Sequence, residues 1–228
     1  MADGTAPPGL FDGAIPPREE YVLRQGFDRE LTYCKGLFPD VRMWPPELNQ
    51  LPATSDGTIH LDRKVIFEIS QRVVAELDNP WPAAQLHAAI ALWGARKGRM
   101  RKRAVKPFAD ENLPAHLTAA IKLVRNEGPK SAYAALRRHK PLWVRGLGPA
   151  YFTKLLYFAG YGAKPSMPQP LIMDNFVVKG LTALTKQPWE ESQSDYMRYL
   201  DLAREWANDL DVESDVIERR IFQIGQSL

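Results

Sequence analysis

The 228-residue sequence contains one cysteine, Cys34, so no disulfide can form within the chain. A single thiol also excludes a cluster of thiolate metal ligands, including those that hold an iron–sulfur centre. The four histidines, at positions 60, 87, 116 and 139, lack the spacing of a metal site. Neither a Walker loop nor a dinucleotide-binding fingerprint is present. We therefore expect no metal and no cofactor.

Long apolar runs are also absent. No stretch approaches the roughly 20 residues that a membrane-spanning helix requires. The first eighteen residues are rich in proline, glycine and alanine and include Asp3 and Asp12, unlike the apolar core of a signal peptide. We expect a soluble monomer in the cytoplasm, without contact to membranes.

The overall charge is nearly balanced, at +3, and does not by itself indicate binding to nucleic acid. Residues 96–106, here called the basic stretch, nevertheless carry seven basic side chains and no acidic one. Acidic residues between 190 and 218 offset this charge in the sum, although the local field remains. We predict phosphate contacts for Arg99, Arg101, Lys102 and Arg103. The alternative is a solvated loop.

Apolar residues make up 45% of the chain, and their spacing is helical. For example, Val65, Ile66, Ile69 and Val73 share one face after Asp62, which can cap that helix. We find no convincing alternation of the kind that strands show. The sequence predicts an all-α protein. It further predicts a flexible tail over residues 1–20, a loop without helical period over 36–60, and a single helical domain over 21–228.

A glycine-containing turn separates two predicted helices, the first of which is expected to begin at Ser131. The turn reads Arg145-Gly146-Leu147-Gly148, and Pro149 follows at a position where proline can begin a helix. Glycines let the backbone approach a phosphate closely, and the N–H groups at a helix start attract it. We predict DNA phosphate contacts at residues 145–148. A tight connector without a ligand is the alternative.

Two ionisable side chains follow this turn. Lys154 lies within an apolar helix, between Phe152 and Leu155, and Asp174 stands where it can cap the next helix. A neutral amine in such surroundings can act as a nucleophile, and a carboxylate can act as its electrostatic partner. The alternatives are a surface lysine with its stem packed on aromatic rings, and an aspartate that only caps.

The order of these elements resembles the helix-hairpin-helix DNA glycosylases, in particular their 8-oxoguanine, or OGG-like, branch. The resemblance extends from about Gly128 to Leu184, with the hairpin core at about 129–184. It implies a two-lobed helical fold, damaged or modified duplex DNA as the partner, and association with the nucleoid. It also implies base excision repair of an oxidised or modified purine, with 8-oxoguanine as the first expectation, and catalysis by Lys154 and Asp174.

One position departs from the family pattern. The commonest members that also cleave the strand carry the catalytic lysine two residues after the second glycine, where this sequence has Ala150. Lys154 lies one helical turn further on, on the same helix face. Three outcomes stay open: a displaced nucleophile with AP-lyase activity, a glycosylase that uses Asp174 and water, or an inactive site. The last would suit a catalytically silent DNA-binding module of a larger complex, such as a genome-defence system.

A base pocket is also implied by the resemblance. Phe222 matches a phenylalanine that stacks on the oxidised guanine, and Glu218 stands at the position of a glutamine that reads the edge of the base. A carboxylate there can accept hydrogen bonds from guanine N1–H and N2–H. Phe152 is a further candidate for the base pocket, as are the rings of Trp93 and Trp143. The alternative is an amphipathic closing helix with Phe222 in the core.

Overall fold

The computed structural model describes residues 4–95, 104–164 and 168–228. These ranges are predominantly helical, which confirms the all-α prediction. The α-helices are α1 (Leu31–Lys35), α2 (Arg63–Ala75), α3 (Trp81–Gly94), α4 (Leu113–Glu127), α5 (Pro129–Leu136), α6 (Pro149–Gly160), α7 (Asn175–Thr185), α8 (Gln193–Asp209) and α9 (Ser214–Ser227). A short π-helical segment, Glu19–Leu23, and 3₁₀ turns at Val41–Met43, Pro46–Asn49 and Lys106–Ala109 complete the helical elements described.

A two-stranded antiparallel sheet was missed by the sequence analysis. It pairs β1 (Gly26–Glu30) with β2 (Thr58–Asp62), so the loop predicted over residues 36–60 ends in a strand. The pattern of β1 is poor in the apolar and β-branched residues that favour strands, and both strands have only five residues. Arg29 fixes the sheet on the end of α3, because its guanidinium donates to the carbonyl oxygens of Leu92, Trp93 and Ala95.

The capping signals explain where several helices begin. The Asp62 carboxylate accepts from the Val65 N–H at the start of α2, as predicted. Pro149 is the first residue of α6, also as predicted. Helix α5 begins at Pro129 rather than at Ser131, because Gly128 takes a φ of +90° that ends α4 and proline is suited to the first helical position.

Helix α6 runs through the centre of the molecule and packs against α2, α3, α4 and α5. Its residues from Phe152 to Gly160 are all buried and mostly apolar, so the protein surrounds this part of the helix on every side. A helix that is apolar all round belongs in the core. The consequence for function is that Lys154, within this run, is held by packing on several sides.

Two glycines allow α7 and α9 to cross at close range. A Cβ at Gly225 would lie within 1.8 Å of the Phe176 carbonyl oxygen, and one at Gly180 within 2.1 Å of the Ile221 carbonyl oxygen. No other residue type fits at either position without moving a backbone. The crossing brings the start of α7, with Asp174 as its cap, against the face of α9 that carries Phe222.

Residues predicted as a flexible tail make specific contacts with the C-terminal helices from residue 4 onward. Arg18 forms a bidentate ion pair with Asp215, at 2.7 Å for the shorter contact. The Ala6 N–H donates to Asp209, and Leu10 is buried. Proline-rich composition suggested mobility, whereas these long-range partners cannot be seen in the sequence of the segment itself.

In the ranges that the structure describes, no helix has the length and apolar character needed to cross a membrane.

Candidate active site

The turn between α5 and α6 takes a backbone conformation that favours glycine. Gly146 adopts a φ of +92°, which side-chain-bearing residues rarely take, and Leu147 is buried beneath the turn. Gly148 precedes the first residue of α6, so the positive end of that helix opens at the turn. Arg145 is exposed beside it. The geometry suits an anion, although phosphate binding itself remains a prediction.

Lys106, the last residue of the basic stretch, lies against this turn. A Cβ added to Gly146 would meet the Lys106 side-chain stem at 3.3 Å. Arg99, Arg101, Lys102 and Arg103 lie outside the described residues. The described end of the stretch therefore adds positive charge beside the turn, where Arg145 also lines a shared hollow.

Lys154 and Asp174 form an ion pair. The Lys154 Nζ lies 2.9 Å from Asp174 Oδ2, although twenty residues separate them in the chain. Lys154 is only 6% exposed, and helix α6 places it in the core. Asp174 also accepts from the N–H groups of Phe176 and Val177, as a cap of α7. Two groups chosen from the sequence for shared chemistry thus converge in one place.

The Lys154 side chain reaches back along α6 as far as the backbone of Ala150. Lysine side chains in a helix point back toward its N-terminus. Here Nζ donates to the Ala150 carbonyl oxygen at 2.8 Å, one turn before its own Cα. The ammonium is therefore held between the Ala150 carbonyl and the Asp174 carboxylate.

The Asp174 carboxylate is ionised more readily than usual. Burial alone would raise the pKa of this group, but the charge and hydrogen bond of Lys154 act against burial. The N–H groups of Phe176 and Val177 add to that effect, and the net pKa lies below its ordinary value. Asp174 is accordingly a carboxylate at neutral pH, which is the form that stabilises a developing cation.

A cleft of about 500 Å³ opens over this pair and is here called the lysine cleft. Strand β1, the end of α3, and helices α6, α7 and α9 all contribute to its walls. Aromatic rings from Phe27, Trp93, Phe176 and Phe222 line it. A cleft with aromatic walls and a few polar groups is the usual form of a site for a planar ligand.

Phe222 and Glu218 both line the lysine cleft, but they differ in exposure and in their partners. Phe222 is partly exposed and packs edge-on against Phe176, with ring centroids 5.4 Å apart. Glu218 is 0% exposed and pairs with Arg63, whose Nη1 lies 2.7 Å from Glu218 Oε2 and whose Nη2 lies 3.3 Å from Oε1. Both carboxylate oxygens are therefore engaged within the protein. Burial raises the pKa of Glu218, although Arg63 opposes that rise.

Phe152 lies apart from this site. It is buried against Tyr133, with ring centroids 4.8 Å apart, and borders a different hollow of about 1550 Å³ beside the hairpin. Trp143 lines that second hollow, whereas Trp93 lines the lysine cleft. The structure thus separates the aromatic candidates into two groups, of which only Trp93 and Phe222 share the cleft with Lys154.

Several residues at the cleft were not singled out from the sequence. Gly94 lies against the stem of Lys154, where a Cβ would be 3.3 Å from Cε. Arg63 holds Glu218, and Asp28 and His60 form a pair on the sheet at the cleft wall. None belongs to a recognisable local motif, because each acts through a partner distant in sequence. Among the described residues, no group of three or more His, Cys, Asp or Glu is arranged to hold a metal ion.

The helical fold, the glycine hairpin and the buried lysine–aspartate pair match the DNA-glycosylase-like class that the sequence resembles. The family model described as "Putative 8-oxoguanine DNA glycosylase OGG-like protein" matches residues 20–222. The chain belongs to this family. No curated protein and no solved structure matches the chain.

Proposed function

We propose that the protein is a DNA glycosylase that excises an oxidised or modified purine, with 8-oxoguanine as the first candidate. The observation that carries the proposal is the 2.9 Å contact between Lys154 Nζ and Asp174 Oδ2 at the base of an aromatic-lined cleft. The family to which the chain belongs supports the same reading.

In this proposal the 145–148 turn binds the DNA backbone, and Arg145 and Lys106 add positive charge beside it. Such contacts fix the register of the backbone and carry no sequence information. The damaged nucleotide is extruded from the duplex, and its base enters the lysine cleft between aromatic rings. Its C1′ atom then lies over Lys154 and Asp174.

Bond cleavage begins as the C1′–N9 bond breaks and its electron pair leaves with the base. Lys154 donates a proton to the departing base, and the Asp174 carboxylate stabilises the positive charge on the sugar. The amine that remains then attacks C1′. Transfer of a proton from that nitrogen to O4′, with opening of the sugar ring, gives a protonated imine between Lys154 and C1′.

Water is the other nucleophile open to the same pair. Its oxygen would bond to C1′ and its proton would pass to Asp174, leaving an abasic site and no covalent adduct. The short contact of Nζ with both Asp174 and the Ala150 carbonyl supports the amine route, because it places the nitrogen beside the carboxylate.

The test combines base release with borohydride trapping on duplexes that carry 8-oxoguanine or another modified purine. Wild type is expected to release the base and to form a trapped adduct, whereas Lys154→Gln forms none and Asp174→Asn releases base at least about 100-fold more slowly. Lys179→Gln is the matched control, since Lys179 is an exposed lysine of α7 outside the cleft. Binding of damaged or abasic duplex by wild type without any cleavage would instead identify the catalytically silent module.

A further inference from the structure

Asp28 and His60 form a cross-strand pair on the wall of the lysine cleft. They stand directly opposite each other in the register of β1 and β2, and Asp28 Oδ1 lies 2.8 Å from His60 Nδ1. Both residues line the same cleft as Lys154 and Asp174. Cross-strand neighbours of opposite charge are common on sheets, but this pair faces a candidate active site rather than open solvent alone.

The hydrogen bond determines which nitrogen of the imidazole is available. In a neutral imidazole with the Asp28 carboxylate as acceptor, Nδ1 carries the proton and Nε2 keeps its lone pair. The ring lies over Gly26, where a Cβ would come within 2.4 Å of Nε2, so a side chain at residue 26 would displace it. Within the described chain no hydrogen bond reaches Nε2.

The other ionisable groups of the cleft are engaged elsewhere. Arg63 and Glu218 form a buried pair, and Arg29 donates to three carbonyl oxygens at the end of α3. Lys154 and Asp174 contact each other and act at C1′ in the proposed function. Among the described residues that line the cleft, His60 therefore offers a nitrogen lone pair that no other side chain uses.

Strand cleavage requires a further step after the amine has attacked C1′. Once an imine links Lys154 to C1′, a proton must leave C2′ before the 3′-phosphate can depart. The Lys154 nitrogen is then covalently bound, and the Asp174 carboxylate faces the charge at C1′. A separate base beside the sugar completes the reaction.

We propose that His60, oriented by Asp28, is the base that removes the C2′ proton in an AP-lyase step. The inference rests on the proposed function at Lys154. His60 Nε2 takes the proton, and the electrons of the C2′–H bond form a double bond between C1′ and C2′. The C1′=N electrons return to nitrogen, giving an enamine. The enamine then expels the 3′-phosphate, which leaves with the electron pair of the C3′–O bond and yields an unsaturated imine.

The experiment uses the full chain and a duplex with a preformed abasic site, which makes the result independent of the lesion. His60→Ala and His60→Gln are expected to keep borohydride trapping within about 2-fold of wild type while strand cleavage falls by about 100-fold. Asp28→Asn keeps the shape of the pair, and its rate of strand cleavage should fall by about 10-fold. Added imidazole should restore part of the cleavage by His60→Ala above the rate that imidazole gives without protein.

His116→Gln is the matched control, because His116 lies on α4 and does not line the lysine cleft. Cleavage by His60→Ala at the wild-type rate would overturn the role of His60 and leave the glycosylase proposal intact. Equal loss of trapping and cleavage, without imidazole rescue, would also overturn it, since that pattern denotes a structural effect. A wild type that forms no adduct overturns the lysine chemistry and this step together.

Discussion

Gly94, the last residue of α3, lies against the side chain of Lys154, and a Cβ at that position would stand 3.3 Å from Cε and 3.4 Å from Cδ. A glycine at the end of one helix thus gives the lysine of another helix the space to reach Asp174. The contact joins two elements that are sixty residues apart in the chain.

Gly94→Ala should therefore separate activity from stability. Alanine favours a helix over glycine by up to about 1 kcal/mol, so the free energy of unfolding should stay equal or rise. The new methyl group should push the Lys154 ammonium by a few tenths of an ångström and slow adduct formation by about 3- to 10-fold, because catalysis is sensitive to such shifts. Urea unfolding and single-turnover trapping measure the two effects. Gly13→Ala is the control, since a Cβ there meets nothing within 4 Å.

Asp174→Asn should lower stability in a manner that depends on pH. Asparagine keeps the helix cap, so the loss reports the missing charge beside Lys154. We expect a loss of about 2 kcal/mol at pH 7, between the values for exposed ion pairs and for fully buried ones. The pKa of Asp174 is lowered in the folded state, so its contribution is present above about pH 4 and is lost as pH falls through the folded pKa. The difference in free energy of unfolding between wild type and variant should therefore shrink as pH falls below about 4. A difference that is constant down to pH 2.5 would contradict the pairing.

His87 should make the protein less stable in acid. Its ring is fully buried, stacks on Phe108 with centroids 5.2 Å apart, and has no hydrogen bond to either nitrogen in the described chain. Burial lowers the pKa of His87 from 6.5 to about 4. The unfolded chain then binds the extra proton between these values, so stability falls as pH falls from 6.5 toward 4.

The matched variant is His87→Leu, which removes the titrating ring. It should be more stable than wild type by about 1 kcal/mol at pH 7, because an unsatisfied buried group is lost. The difference should widen by about 3 kcal/mol by pH 4, which corresponds to the size of the pKa shift. Thermal or urea unfolding at several pH values checks this. Parallel stability curves for the two proteins would show that His87 is not the group responsible.

Glu218→Gln should act mainly on stability. The change leaves the Arg63 guanidinium buried without its counter-charge, and breaking one side of such a pair costs about 3 kcal/mol or more. If Glu218 instead read the edge of the base, the variant would alter the preference among modified purines while the fold stayed as stable as before. Comparing urea midpoints with relative excision rates on two lesions distinguishes these outcomes.

The sequence could predict those parts of the protein that depend on local signals. Helix periodicity, the Asp62 cap and Pro149 at the start of α6 are such signals, and they placed the main helices. Lys154 and Asp174 could also be chosen, because the hairpin, an apolar helix and a capping aspartate follow one another in the chain.

Features that depend on distant partners could not be predicted. Arg63 and Glu218 are 155 residues apart, and nothing in either segment indicates their pairing. The composition of the two short strands gives little signal, and Arg29, which binds the end of α3, joins them to a helix distant in sequence. The N-terminal segment has the prolines that are typical of a flexible tail, yet Arg18 forms an ion pair with Asp215, 197 residues away in the chain. The sequence therefore allowed Glu218 as a residue that accepts hydrogen bonds from the base, whereas in the fold its carboxylate is paired with Arg63.

The most direct test of the central claim identifies the amine that forms the covalent adduct. Wild-type protein would be trapped with borohydride on an abasic duplex, digested, and analysed by mass spectrometry. The account predicts that the modified residue is Lys154, and that Lys154→Gln yields no modified peptide. Attachment at the N-terminal amine or at another lysine, with Lys154 unmodified, would contradict it.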